Sequence, residues 1–298
     1  MSTTTTVHQS QTSQQNGLYH STSANGVADS SNSVPRGPTE AALTFYAPPK
    51  DGSSPWNYVE APPQGSPKFN YQEVPHKVTV SDIRGRESDF DVNRHGFGVV
   101  SGIESKEKDF LDDESIKKNY YPEVEETILK HIKGAKRVLL FDHTVRRSSP
   151  NAPRAPVNRV HIDQTAKSSK QRVEYHLPDE AETLLNDRVR IINVWRPLNG
   201  PVVSSPLGFA ASDSVPDSAV VPVEHRYPHR TGETAGIEYT EGQRWFYWSG
   251  MQNNERLFLQ CYDSKDGARV PHTAFQDPHT PENAVGRESI EVRALVFG

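Results

Sequence analysis

A histidine and an aspartate two positions apart are the residues of this chain best suited to hold a metal ion. In His161-Ile162-Asp163 an extended backbone would project residues i and i+2 from the same face, so one imidazole and one carboxylate could reach one ion. A third ligand from a distant strand would complete two histidines and one carboxylate, the ligand set of non-haem Fe(II) oxygenases. The tripeptide alone is a weak signal, because a surface histidine beside an aspartate is common.

The C-terminal part of the chain offers the third ligand and a site for an anion. His272 directly follows a predicted strand, and Arg287 and Ser289 open the final strand on one face. A guanidinium and a hydroxyl so placed can bind one carboxylate, and an enzyme that uses 2-oxoglutarate must hold the far carboxylate of that ketoacid. The combined pattern predicts an oxygenase that uses Fe(II), 2-oxoglutarate and O2.

The choice of the distal histidine has an alternative. His279 also precedes the final strand, but it lies between Pro278 and Pro281 in a segment typical of a surface loop. We therefore prefer His272 as the third ligand and keep His279 as the competitor.

The anion site also has an alternative, and so does the chemistry. Arg293 shares the face of Arg287 and Ser289 and could bind the carboxylate instead, although an ion pair with Glu291 would explain it as well. A metal hydrolase with a Zn-bound water would use the same ligands. That reading ranks last, because it gives the R-x-S pair no role.

Alternating and helical patterns predict the elements that position these residues. Apolar residues at every second position predict a final strand over 289–297. The other predictions are a helix that begins near Pro122 and ends at Gly134, a short helix over 179–186 capped by Asp179, strands over 138–141 and 189–195, and a hairpin of 244–248 with 256–262. Few helices early and many strands late predict one closed or sandwiched β domain with flanking helices.

Composition excludes several classes of protein. The chain of 298 residues has 33 basic and 38 acidic side chains and a net charge of -5, so it lacks the basic footprint of a nucleic-acid-binding protein. A single cysteine, Cys261, excludes an internal disulfide and a thiolate metal cluster. Residues 1–40 are polar and predict a disordered tail, and 41–298 predict the folded domain. No leader or membrane-span pattern occurs, so we expect a cytoplasmic protein.

Several longer strings resemble one enzyme family. They are FDHTVRR (141–147), VNRVHIDQT (157–165), INVWRPL (192–198), HRTGETAGIEY (229–239), PHTAFQDP (271–278) and RESIEVRALVF (287–297). Over about residues 40–298 the chain resembles a mostly fungal hydroxylase/desaturase family. That family includes aspergillic-acid pathway oxygenases and gibberellin desaturase-like proteins, and the bacterial cephamycin 7α-methoxylase subunit is similar.

The resemblance implies a double-stranded β-helix (jelly-roll) fold and Fe(II)- and 2-oxoglutarate-dependent oxidation in secondary-metabolite biosynthesis. It implies His161, Asp163 and His272 as metal ligands and Arg287 with Ser289 as the 2-oxoglutarate anchor. The reaction would oxidise an unactivated C–H bond of a small molecule by hydroxylation, desaturation or ring formation. A homodimer, or a heterodimer with a related subunit, is also implied as possible, and the alternative is a partner-dependent or accessory subunit of a heteromeric oxygenase.

Overall fold

The computed structural model describes residues 34–148 and 154–298. The prediction of a disordered tail over 1–40 therefore falls mainly outside the described residues. The first strand begins at Thr39, slightly before the predicted domain boundary at residue 41. No helix in the described ranges is both long enough and apolar enough to cross a membrane.

Strands are the predominant regular element of the described chain. The strands are β1 (Thr39–Ala47), β2 (Trp56–Tyr58), β3 (Gln72–Asp82), β4 (Phe97–Val100), β5 (Arg137–Arg146), β6 (His161–Ile162), β7 (Val189–Pro197), β8 (Leu207–Ala210), β9 (Val220–Arg226), β10 (Thr231–Ile237), β11 (Trp245–Tyr247), β12 (Arg256–Asp263), β13 (His272–Ala274) and β14 (Ser289–Phe297). The α-helices are α1 (Val92–His95), α2 (Asp113–Ser115), α3 (Tyr121–His131), α4 (Ala166–His176) and α5 (Ala181–Leu185), and a π-helical turn over Ile116–Tyr120 leads into α3.

The strands form two sheets. The larger has nine strands in the order β1-β3-β11-β8-β13-β6-β10-β9-β2, and the smaller has five in the order β4-β12-β7-β14-β5. Pairing in the smaller sheet is antiparallel throughout. In the larger sheet, β11 with β3 and β2 with β9 pair in parallel. The predicted sandwich of β-sheets is therefore present.

The main core lies between the two sheets. Leu43 and Ile162 of the larger sheet pack in one buried cluster with Ile191 and Leu295 of the smaller sheet. Burial of such side chains from water is the main favourable term in folding. The core thus fixes β6, which carries the H-x-D pair, against β7 and β14.

Helix α3 covers the outer face of the smaller sheet. Val124 and Ile128 of α3 pack against Ile290 and Val292 of β14, as the four-residue spacing predicts. Pro122 lies in the first turn of α3. The final strand is confirmed over 289–297, and the helix is confirmed except that it ends at His131, before the predicted Gly134.

The predicted hairpin of 244–248 with 256–262 is wrong. Both strands exist, but β11 pairs with β3 and β8 in the larger sheet, whereas β12 pairs with β4 and β7 in the smaller one. Arg84 holds the connecting segment at both ends, because its guanidinium donates to the Ser249 carbonyl at 2.7 Å and to Glu255 Oε2 at 2.9 Å. The connection therefore crosses from one sheet to the other, about 10 Å away.

Two helical details also differ from the sequence prediction. The N-cap of α5 is Glu180 without a side-chain capping bond, not Asp179, because a backbone bond from Glu180 N–H to the Leu177 carbonyl forms a turn before the helix. Helix α4 was not predicted, although Thr165 and Ser168 form a capping box at its start.

Candidate functional site

Strand register brings the two predicted histidine ligands together. β6 lies between β10 and β13 in the larger sheet, and His161 is directly opposite His272. Residues directly opposite in an antiparallel pair have their Cβ atoms about 4.5–5.5 Å apart and project to one side. The two imidazole centroids are 4.5 Å apart.

Asp163 joins the histidines because it is two residues beyond His161. Its Oδ1 is 3.4 Å from His161 Nε2. One ligand atom from each of His161, Asp163 and His272 lies within 4.8 Å of the other two. The structure thus places all three predicted metal-site residues in one cluster.

Backbone carbonyls set the tautomer of both histidines. His161 Nδ1 is 2.8 Å from the Arg159 carbonyl oxygen, and His272 Nδ1 is 3.2 Å from the Val270 carbonyl oxygen. A carbonyl oxygen can only accept, so each Nδ1 carries the hydrogen and each Nε2 keeps a lone pair for a ligand. Burial, and then the neighbouring His161, lowers the pKa of His272, which favours its neutral form.

Asp163 is ionised, and two side chains donate hydrogen bonds to one of its oxygens. Arg293 Nε donates to its Oδ2 at 2.7 Å, and Asn193 Nδ2 donates to the same oxygen at 2.8 Å. Burial alone would raise the pKa of the Asp163 carboxyl, but the charge of Arg293 holds that pKa well below its usual range. The carboxylate is therefore available as an anionic ligand.

Arg293 is occupied by carboxylates of the protein. Besides Asp163, it pairs with Asp142 at 3.0 Å and with Glu291 at 2.5 Å. The ion pair with Glu291, weighed as the alternative to an anchor role, is present. Arg293 thus has three acidic partners, which makes it a poor candidate for the 2-oxoglutarate anchor.

Arg287 has the opposite surroundings. It is 2 % exposed, one Nη donates to the Ser205 carbonyl at 2.7 Å, and its buried Nε has no partner in the described part of the chain. Burial, and then repulsion from Arg146, lowers the pKa of Arg287 to about 9. Glu291 offsets this only in part, and a buried guanidinium without a bonded carboxylate is stabilised by an anion.

A narrow cavity connects Arg287 with the histidines. The residues that line it are Arg146, Val157, His161, Trp195, Leu207, His272, Thr273, Ala274, Arg287 and Glu291. Ser289 is buried and is not part of this lining, but it lies two residues before Glu291 on the same face of β14.

His279, the competing ligand, lies elsewhere, and so do two further histidines. His279 is largely exposed, and its Nδ1 is 2.9 Å from Asp277 Oδ1 on a surface loop. His225 is bound to Thr234, and His143 to Tyr121 and Asp113. None of the three belongs to the cluster around His161.

Sequence reasoning missed two charged residues that line the cavity. Glu291 was considered only as a partner of Arg293, yet its position two residues after Ser289 was a sufficient signal. Arg146 pairs directly opposite Ser289 across β5 and β14, a register that the local sequence does not contain. On β7, Asn193 reaches Asp163, whereas Arg196 packs on Phe110 and Tyr120.

The donor set fits a divalent iron. Two imidazole nitrogens with free lone pairs and one ionised carboxylate match the borderline and hard ligands that Fe(II) takes in oxygenases. Beside them, the unpaired guanidinium of Arg287 fits one end of a dicarboxylate. The residues present are therefore suited to both iron and 2-oxoglutarate.

Comparison with known proteins gives a consistent result. A family model described as "Oxidoreductase/YMDC permease-like domain" matches residues 43–297. The hydroxylase/desaturase poxK of Penicillium oxalicum is 36% identical over 263 residues, which cover 75% of this chain and 79% of poxK. The alpha-ketoglutarate-dependent dioxygenase phiK of a fungal species is 34% identical, with 88% of this chain and 96% of phiK covered.

A solved structure is similar over nearly its whole length. The iron and alpha-ketoglutarate-dependent endoperoxidase NvfI has a TM-score of 0.81 and 30% sequence identity, and the match covers 89% of this chain and 99% of NvfI. The predicted fold, a double-stranded β-helix of the oxygenase type, is confirmed by this match.

Proposed function

This chain belongs to the fungal Fe(II)- and 2-oxoglutarate-dependent hydroxylase/desaturase family, and on that premise we propose that His161, Asp163 and His272 hold the iron and that Arg287, with Ser289, holds 2-oxoglutarate. The enzyme is an iron- and 2-oxoglutarate-dependent dioxygenase of the kind found in fungal secondary metabolism. Its cofactors are Fe(II), 2-oxoglutarate and O2. The assignment of individual residues is the proposal.

One observation carries the metal assignment. His161 and His272 are opposite each other in paired strands, and the hydrogen on each Nδ1 is donated to the backbone, so both Nε2 atoms can share one ion with Asp163. His279 supports no such site, because it is exposed and bound to Asp277. The proposal therefore uses His272 as the distal ligand.

Each residue has a defined role in this arrangement. When bound, iron supplies the activation of O2 with 2-oxoglutarate that allows oxidation of a C–H bond. The backbone carbonyls of Arg159 and Val270 orient the two imidazoles. Arg293 keeps Asp163 ionised, and Trp195 and Leu207 line the cavity with apolar surface that limits water.

The anion site is assigned by charge balance. Arg293 forms ion pairs with three carboxylates of the protein, whereas Arg287 forms none within 4 Å among the described residues and only feels the more distant charge of Glu291. A dicarboxylate with one end near the metal would therefore find its cationic partner at Arg287. We take the hydroxyl of Ser289, which lies on the same face of β14 as Glu291, as the second hydrogen-bond donor to this carboxylate.

The substrate is a small molecule, and we propose that the reaction is oxidation of an unactivated C–H bond. Hydroxylation, desaturation and ring formation all follow from the same first hydrogen removal, and substrate placement selects among them. The names of the relatives, which include hydroxylase/desaturase and endoperoxidase, support this range.

The experiment is an anaerobic absorption measurement. Mixing the metal-free protein with Fe(II) and 2-oxoglutarate should produce a weak visible charge-transfer band that needs both additions. Asp163→Ala should abolish the band, because it removes a ligand, whereas the matched control His279→Ala should keep it. A band that survives in Asp163→Ala and disappears in His279→Ala would refute the ligand assignment.

Dependence on a second subunit stays a prediction, and so does a cytoplasmic location. Size-exclusion chromatography with mass determination tests the first. A homodimer or monomer that forms succinate alone would exclude a required partner. Inactivity of the isolated, iron-loaded chain, restored by a related subunit, would support it.

A further inference from the structure

We propose that Arg293 and Asn193 together restrict Asp163 to a single coordinating oxygen. The inference rests on the proposed role of Asp163 as a metal ligand and adds two positioning residues to that site. Neither residue is itself a ligand. Their joint effect is to decide how many positions around the metal the protein occupies.

The geometry separates the two oxygens of Asp163. Oδ2 accepts from Arg293 Nε at 2.7 Å and from Asn193 Nδ2 at 2.8 Å. A carboxylate oxygen has about two lone-pair sites, so two donors at these distances meet its hydrogen-bonding capacity. Oδ1 lies 3.4 Å from His161 Nε2 and accepts neither of these two bonds, so it is the oxygen that remains free to coordinate.

Strand register places Asn193 and Arg293 side by side. Asn193 of β7 is directly opposite Arg293 of β14, so both side chains project from the same face of the smaller sheet. The next residue of each strand, Val194 and Ala294, is buried on the other face. The pair is therefore built into the sheet and not carried by a loop.

The guanidinium of Arg293 is held in place by bonds other than the one to Asp163. One Nη donates to Asp142 at 3.0 Å and to Thr144 Oγ1 at 3.2 Å, and the other Nη donates to Glu291 at 2.5 Å. The planar guanidinium then presents Nε in one direction only. A lysine could supply the charge but not this set of directed bonds.

Asn193 is also fixed by its contact with Asp163, because it makes that bond and leaves its own amide oxygen unpaired within the described ranges. Its side chain is fully buried, and Oδ1 has no hydrogen-bond partner among the described residues. Because an ionised carboxylate only accepts, the amide must turn Nδ2 toward Asp163 and leave Oδ1 unpaired. An apolar residue would fill this core position at lower cost, so the contact with Asp163 is the reason for an asparagine.

A single coordinating oxygen has a chemical consequence. Two imidazoles and one oxygen give three protein donors, which leaves three of six positions for external ligands. With iron bound, these positions would be available to 2-oxoglutarate and O2. A carboxylate that bound through both oxygens would compete with one of them.

The test uses Co(II), which binds at such sites without reacting with O2. A structure of the Co(II)-loaded wild-type protein should show only Oδ1 of Asp163 at bonding distance, with Oδ2 still in contact with Arg293 and Asn193. Both oxygens at bonding distance in the wild type would overturn the inference while leaving the proposed metal site intact. No Co(II) or Fe(II) at His161 would overturn both.

Two variants and one control extend the test. Asn193→Leu removes one donor at similar volume, and Arg293→Lys keeps the charge without the fork. In both we expect Co(II) to remain bound, its d–d absorption to weaken as Oδ2 coordinates, and the Kd for 2-oxoglutarate to rise at least about 10-fold, the lower end of the effect of outer ligand partners. The control His279→Ala changes an exposed loop histidine that contacts Asp277 and belongs to no part of this arrangement, and its spectrum and Kd should stay within about twofold of wild type. Variants that match the wild type in both readouts would refute the inference.

Discussion

The two faces of β14 are both buried, but they are stabilised in different ways. Toward helix α3, the strand presents Ile290, Val292, Ala294 and Val296, which pack in an apolar cluster. Toward the larger sheet, it begins with Ser289, Glu291 and Arg293, which are also largely hidden from water. One face depends on removal of apolar area from water, and the other depends on matched charges.

The comparison shows why the polar face is limited in its substitutions. A buried charge is costly unless it is paired and hydrogen-bonded. Arg293 meets this condition with Asp142, Asp163 and Glu291, while Arg287 does not and thus remains able to bind an anion. The apolar face has no such directional requirement, so its residues should affect stability and leave the chemistry unchanged.

The largest expected effect is a loss of enzymatic activity on substitution of a proposed metal ligand. His272→Ala removes a proposed ligand, and succinate formation from 2-oxoglutarate should fall by more than the about 10- to 100-fold typical of outer ligand partners. The midpoint of thermal unfolding of the metal-free protein should change little. His279→Ala, which alters an exposed loop histidine, is the control and should keep activity.

The apolar face should behave in the opposite way. Ile290 is fully buried, and Ile290→Ala should lower the free energy of unfolding by about 2–5 kcal/mol. Urea denaturation of the metal-free protein measures this loss. The folded fraction should retain the iron–2-oxoglutarate absorption band, and loss of that band in folded protein would mean that the two faces are not independent.

A pH titration tests a third kind of group, a half-buried neutral imidazole. Burial, and then the charge of Arg159, lowers the pKa of His225 to about 4, whereas an unfolded histidine has a pKa of about 6.5. Between these values the unfolded chain binds a proton that the folded chain does not, so stability rises with pH and is lost as pH falls from about 6.5 to 4. His225 should account for about 1–3 kcal/mol of that loss, since one pKa unit corresponds to about 1.4 kcal/mol.

The matched variant for this titration is His225→Gln, which can still bond with Thr234 but does not titrate. Its free energy of unfolding should depend less on pH between 4 and 6.5 than that of the wild type. Equal slopes for the two proteins over this range would contradict the assignment to His225.

The sequence could predict features that depend on neighbouring residues, but not those that depend on residues distant in the chain. The H-x-D pair and the faces of β14 follow from residues two apart, so the pattern predicted them directly. The choice of His272 over His279 depended on a loop signal, and the register opposite His161 places it in the cluster. The false hairpin arose because sequence neighbours do not reveal which sheet a strand joins. The hydrogen bond of Arg293 with Asp163 depends on residues from three strands and from the segment after β6. No local sequence pattern encodes that arrangement.

The smallest expected effect is at the start of α4, directly after Asp163. The Thr165 hydroxyl accepts from Ser168 N–H at 3.1 Å as the N-cap, so Thr165→Ala should cost about 1 kcal/mol of stability. Thr165→Ser keeps the cap and should cost less. Because Asp163 is held by Arg293 and Asn193 and not by this cap, both variants should keep the wild-type Kd for 2-oxoglutarate. A weakened Kd in Thr165→Ala, restored in Thr165→Ser, would show that the helix cap, and not only the charged face of β14, positions the carboxylate.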